Sequence, residues 1–199
     1  MSSNQPRLSA SELKKNIKAC TVCQKELPLA AKPIFSFSAR SKILVVGQAP
    51  GIKAHESGIP WNDASGDRLR EWLGVTKKQF YSTKNFSIVP IGFCYPGKGK
   101  SGDIPPRPEC GETWMAQVLE KLPKRKITLL IGQYAQRWFL KTLKKATLTE
   151  TVKNWKTYLP EYFVLPHPSL RNNIWLKKNP WFEKKLVPEL EKRVGEFLL

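Results

Sequence analysis

The sequence predicts a three-layer α/β/α sandwich around a central four-stranded parallel sheet. Two nearly continuous apolar runs, residues 42–47 (KILVVG) and 127–132 (ITLLIG), end in glycine, as strands buried on both faces do. Two further β-rich runs, 86–92 (FSIVPIG) and 162–165 (YFVL), complete a set of four. Helix-length stretches fill the intervals, and strands alternating with helices form parallel sheets covered on both faces.

Each element has a local reason. A first helix is expected over residues 9–19, with Ser9 as its cap and Glu12 three residues later as the capping-box partner. The strand at 42–47 leads to a helix at 65–73, and the strand at 86–92 to a helix at 108–122. Between these last two, residues 94–110 (CYPGKGKSGDIPPRPEC) hold three Gly and four Pro, too many for helix or strand, so a long loop is expected. Pro90 disturbs a central strand, so a bulge or shifted register is expected there. The strand at 127–132 feeds a helix at 133–143. After the strand at 162–165, Pro180 begins a closing helix at 180–198 with Asn179 as cap. Trp181 and Phe182 then read as packing residues.

The 199 residues suffice for one domain over 1–199, with the N-terminal helix and the C-x2-C segment (1–40) packed onto it. No run of eighteen apolar residues occurs, and residues 1–18 are polar and basic without an apolar core, so the expectation is a soluble, cytoplasmic, monomeric protein that meets no membrane. Thirty-four Lys and Arg face sixteen Asp and Glu, a net charge of +18. Such self-repulsion points to a polyanionic partner, and charge alone does not separate DNA from RNA.

The four cysteines are Cys20, Cys23, Cys94 and Cys110. A C-x2-C pair followed by two distant cysteines is the inventory of a four-thiolate metal site. The pair alone also suits a redox dithiol or two core cysteines. The intervening Thr21-Val22 and the lack of a preceding strand weaken the redox reading.

Parallel sheets bind ligands beyond the C-terminal ends of their strands. There lie residues 47–67, after the first strand, and 166–171 (PHPSLR), after the last. These two loops hold both histidines, His55 and His167. Trp61 offers a stacking face, His167 and Asn62 offer donors, and Asp63 a carboxylate that activates water. Ser169 and backbone N–H groups suit phosphates beside a flipped nucleotide, and Lys177 and Lys178 suit phosphates along the rim.

At these residues the chain resembles the uracil-DNA glycosylase superfamily, closest to its iron–sulfur families 4 and 5. The matching stretches are GQAPG (47–51), GIPWNDASGDRL (58–69), the LLIG strand end followed by Ala135, HPSLR (167–171) and the order and spacing of the four cysteines. The resemblance spans most of the chain. It implies a DNA N-glycosylase of base excision repair that flips a deaminated base from single- or double-stranded DNA and hydrolyses its glycosidic bond. It implies that Gln48 and Ala49 handle water, Trp61 stacks on the base, Asp63 activates water and His167 bonds the departing base. Leu170 and Arg171 would stand at the minor-groove wedge. Cys20, Cys23, Cys94 and Cys110 would hold a [4Fe–4S] cluster, with zinc as the alternative.

Two departures bear on chemistry. Where families 4 and 5 place a base-reading Asn, this chain has Pro90, and where family 4 has Glu it has Gln48. Asn62, Asn172 or Asn173 would then read the base, or the substrate is another deaminated base such as hypoxanthine. The rival reading is a metal-stabilised DNA-binding protein of the same fold that has lost hydrolysis, or one that captures the abasic sugar through His167.

Overall fold

In the computed structural model, residues 8–100 and 102–199 are described. The first seven residues of the expected N-terminal segment, and Ser101 of the expected long loop, lie outside the described residues. The chain begins with α1 (Ala10–Lys18), whose capping box closes as expected: Glu12 N donates to Ser9 Oγ and Ser9 N to the Glu12 carboxylate. Then follow β1 (Ile43–Val46), α2 (Ile52–Ser57), α3 (Ala64–Trp72), α4 (Lys77–Phe80) and β2 (Phe86–Ile88). A two-stranded hairpin, β3 (Lys98–Gly99) with β4 (Gly102–Asp103), precedes α5 (Pro108–Glu120). The rest of the chain is β5 (Ile127–Ile131), α6 (Gly132–Leu140), α7 (Leu148–Lys153), β6 (Tyr162–Leu165), α8 (Asn173–Lys178) and α9 (Val187–Leu198).

The central sheet is wholly parallel, in the order β2-β1-β5-β6. β1 pairs on both sides, and all four of its residues are fully buried. Right-handed crossovers place the helices between β1 and β2 on one face and those between β2 and β6 on the other. Packing agrees. α3 lies against α9, whereas α5 lies against α1 and meets α6 where the Trp138 ring crosses Gly111. Leu13 and Ile17 carry α1 into the core.

Three expectations change. The second strand ends at Ile88 rather than at residue 92, yet Pro90 does not break its register. β2 is an edge strand, and Val89 N and Ile91 N still donate to the carbonyls of Val45 and Gly47. Pro90 falls between these donors, on the side of β2 that residues 34–36 flank, where the ladder to β1 takes no N–H from it. The long loop holds the small β3–β4 hairpin, with Ile104 N donating to Gly97 O at 2.9 Å. Asn179 does not cap the last helix: its Oδ1 accepts from the Trp181 indole and its Nδ2 donates to Trp175 O. A π-helical turn, Phe182–Leu186, links that corner to α9, and Phe182 is fully buried, whereas Trp181 packs half-buried against the core.

Leu44→Ala, in the doubly paired strand, should cost roughly 3–5 kcal/mol in urea unfolding. Leu143→Ala, at a side chain 64% exposed, should cost about 0.5 kcal/mol or less in the same measurement.

Candidate active site

The chain runs from β1 outward to β2 and then crosses back to β5 on the other side of β1. At that switch point the loops beyond the strand ends diverge and leave a crevice. A cleft of about 610 Å³ opens there. The loop after β1 contributes Gln48 and Ala49, and the turn before α3 contributes Trp61 and Asp63. The loop after β6 contributes His167, Ser169 and Arg171. The two loops singled out in the sequence thus face each other across one cavity.

Trp61 is held in a left-handed backbone conformation, φ 56°, uncommon for a bulky residue. Two glycines make room for it. A Cβ on Gly47 would lie 2.8 Å from the indole, and one on Gly66 would overlap the Trp61 carbonyl at 1.8 Å. That carbonyl accepts from Arg70 Nη1 at 3.2 Å and from the Tyr81 hydroxyl at 3.2 Å, and the same hydroxyl reaches Pro60 O at 2.9 Å. Arg70 is only 6% exposed, pairs with Asp67 and lies over the rings of Phe80 and Tyr81. Burial raises the Tyr81 phenol above its ordinary value of 10.0, so it stays a donor. These donors offset a strain on the order of 1–2 kcal/mol at Trp61.

Asp63 is the N-cap of α3, with Oδ1 accepting from Gly66 N at 2.8 Å. The cap fixes the carboxylate at the cleft wall, at the positive end of the helix. His167 lies opposite, half-buried between two prolines, with its ring 5.5 Å from that of Trp61 and tilted by 30°. Burial lowers its imidazole below the ordinary 6.5, and the nearby charge of Asp63 pulls the other way. The imidazole is therefore neutral at pH 7, with one nitrogen a donor. Asn172 Nδ2 donates to His167 O at 2.6 Å and secures the loop.

Arg68 ties the far loop to α3, donating to Ser169 O at 3.3 Å and to Asn173 Oδ1 at 2.8 Å. Beyond that anchor Leu170 is 57% exposed, at the tip beside the cleft. Across the mouth stands Asp103, whose carboxyl is raised above 3.8 by loss of hydration despite the opposing charge of Arg171. Gln48 Nε2 reaches the same hairpin through Ile104 O at 3.3 Å.

Asn62, expected in the cleft, does not line it, and Leu170 and Lys177, expected at the wedge and the rim, stand outside it. Asn62 accepts from Lys77 Nζ at 3.4 Å, Leu170 projects outward, and Lys177 stands exposed on α8. His55, the other histidine, packs beside Tyr95 at 6.1 Å instead. Ile34, Ile88 and Pro90 give the cleft an apolar wall where a base-reading side chain was sought. Sequence reasoning missed Gln133, Tyr134 and Asp103 as lining residues, and Arg68 and Arg70 as supports. Gln133 and Tyr134 were within reach, since they follow the glycine that ends an apolar run. Arg70 was not, because an arginine on a predicted helix reads as solvated.

The four cysteines are free and come from three segments: the turn after α1, the stretch after β2 and the start of α5. Cys23 lies beside Cys110 and Arg107, and Cys94 lies near Cys20 and Cys23. Burial, reinforced by neighbouring thiols, pushes Cys94 up to about 11 and Cys110 up to about 12. The four thiols draw near one another without forming a closed ligand set. Among the described residues, no group of three or more His, Cys, Asp or Glu side chains is arranged to hold a metal ion. No helix among them is long and apolar enough to cross a membrane.

Compared with known protein families, residues 35–191 match the one described as the uracil DNA glycosylase superfamily, and with most of its length in that match the chain belongs to this superfamily.

Proposed function

We propose that this chain is a DNA N-glycosylase of the iron–sulfur type, which flips a deaminated base into the cleft and hydrolyses its glycosidic bond. The observation that carries the reading is the convergence of Trp61, Asp63 and His167 in one cavity at the switch point of the sheet. A flipped base stacks on the Trp61 indole, which its clamped carbonyl holds in place. Asp63 takes a proton from a water that attacks the sugar carbon, while the carbon–nitrogen bond breaks and its electron pair leaves with the base. The cationic sugar is favoured by Asp63 and the flanking phosphates. The anionic base meets the neutral His167 donor, and one such preorganised donor accounts for about 10²–10³ in rate. Ser169 and Arg171 contact phosphates, Leu170 fills the vacated stack, and Lys177 steadies the strand along the rim.

Base choice follows from what is still unoccupied. Asn62 and Asn173 accept from Lys77 and Arg68, and Asn172 has its amide nitrogen on His167 O. Asn172 Oδ1 remains an amide acceptor in the cleft beside those of Gln48 and Gln133, suited to a ring N–H such as that of uracil or hypoxanthine. The apolar wall at Ile34, Ile88 and Pro90 also favours a second reading, a protein of this fold that binds DNA without hydrolysis.

Cys20, Cys23, Cys94 and Cys110 would hold a [4Fe–4S] cluster that clamps the N-terminal segment to the long loop, and zinc is the alternative occupant. The protein would work in the cytoplasm as a monomer, beside the DNA it repairs.

Oligonucleotides carrying uracil, hypoxanthine or xanthine, single- and double-stranded, followed by alkali, test the chemistry. Strand scission on at least one is expected, and scission on none rejects hydrolysis. An SDS-resistant protein–DNA band without scission would assign capture of the sugar by His167. Asp63→Asn should lower cleavage about 100-fold or more while unfolding unchanged, since Asn caps helices as well as Asp.

The two histidines can be followed by NMR, with His55→Asn to assign them. His167 should titrate below 6.5, and Asp63→Asn should move it further down, because the Asp63 charge pulls it upward. An upward move would show that the two groups do not interact as described.

Protein purified without chelator should be brown with broad absorption near about 400 nm and four irons per chain. Colourless protein with stoichiometric zinc would assign zinc instead.

A further inference from the structure

The fold gathers a second concentration of charge, at the end of the sheet opposite the cleft. There a concavity of about 640 Å³ is lined by Arg40, Lys42, Lys84, Lys124 and Lys126, with no acidic side chain in its wall. All five head groups lack a hydrogen bond, ion pair or ring contact to any described residue. Their backbones are far from loose. Asn85 O accepts from Lys42 N at 3.0 Å and from Ile43 N at 2.9 Å, and Lys42 O accepts from Lys126 N at 2.7 Å. Lys84, Lys42 and Lys126 therefore stand at the starts of three adjacent strands, β2, β1 and β5, laced together at the interstrand spacing of about 4.8 Å.

Like charges gathered on one face repel, and solvated surfaces normally relieve this by mixing signs. A row of phosphates relieves it here. The face is too broad for one small anion and carries cations along a line, as a nucleic-acid backbone carries phosphates. Each strand runs from this pole toward the cleft, so a duplex lying over the cleft rim does not pass across it.

We propose that this pole is a second nucleic-acid contact, which grips the phosphate backbone of a DNA segment other than the one at the cleft. The protein would then hold two segments at once. That outcome involves no base excision, so it stands apart from the catalytic reading.

The test uses undamaged duplexes, one pool labelled with a fluorescence donor and one with an acceptor, mixed with the full chain at low salt. Energy transfer is expected, with sedimentation giving one chain and two duplexes per complex. Combining Lys84→Gln, Lys124→Gln and Lys126→Gln should abolish the transfer and leave the first duplex bound within about twofold. The salt slope of the second binding step should fall by about 1 for each lysine removed in the single and double variants that still bind. Lys124→Glu alone, at an exposed side chain, should weaken the transfer without disturbing the fold. One duplex per chain at saturation, two chains per complex, or transfer kept in the triple variant would overturn the proposal. So would displacement of the second duplex by inorganic phosphate at matched ionic strength, which would make the site one for small anions. Absence of any duplex binding would overturn this proposal and leave the catalytic reading to the oligonucleotide assay.

Discussion

Everything about the cleft depends on β1 being locked from both sides. Its four residues are fully buried, its backbone is paired to β2 and to β5, and the side of the sheet being extended reverses about it. A strand so held cannot shift by one residue without turning its whole set of side chains. The chain leaves it at Gly47 in a fixed place and direction, and every cleft residue is positioned relative to that exit. Pairing continues past the strand, where Ile91 N and Gly92 N donate to the carbonyls of Gly47 and Gln48. The cleft floor is thus an extension of the sheet rather than a free loop.

The second constraint is the Trp61 turn, which shows why several residues have the identities they have. A tryptophan at positive φ is unfavourable by itself, and it persists because the surroundings over-determine it. Gly47 and Gly66 leave out the atoms that would collide, and Arg70 and Tyr81 bond the carbonyl that the turn exposes. Two residues later in the chain the same turn supplies the α3 cap, Asp63. An aromatic face and a carboxylate therefore reach the cleft as one rigid unit. Moving either disturbs both.

The sheet, the first helix with its capping box and the two facing loops were legible because they rest on local rules. Apolar runs, cap residues and the ends of parallel strands all leave their mark within a few positions. The Pro90 expectation failed because it needed the strand order: the same proline would break a central strand and is harmless at this edge. The β3–β4 hairpin was hidden by its Gly and Pro content, which permits tight turns as readily as irregular loops. Asn62 looked like a cleft donor from its neighbours alone, but the turn that sends Trp61 inward sends Asn62 to Lys77. Side-chain direction after a left-handed residue is a three-dimensional fact, and no spacing in the sequence encodes it.

Charge and chemistry are arranged along one axis, the strand direction. At the C-terminal end two aspartates, Asp63 and Asp103, share the cleft with His167 and Arg171. Positive charge there is offset by the carboxylates, and burial disfavours the charged imidazole, which suits the donor role proposed for it. At the N-terminal end cations gather with no acid among them. A polyanion attracted by the net charge of +18 would be drawn to both ends, but only one offers a cavity with an aromatic face and a carboxylate. The excess charge cannot select a base. On the proposed reading that selection falls to the cleft, whose polar lining includes Gln48, Gln133, His167 and Asn172.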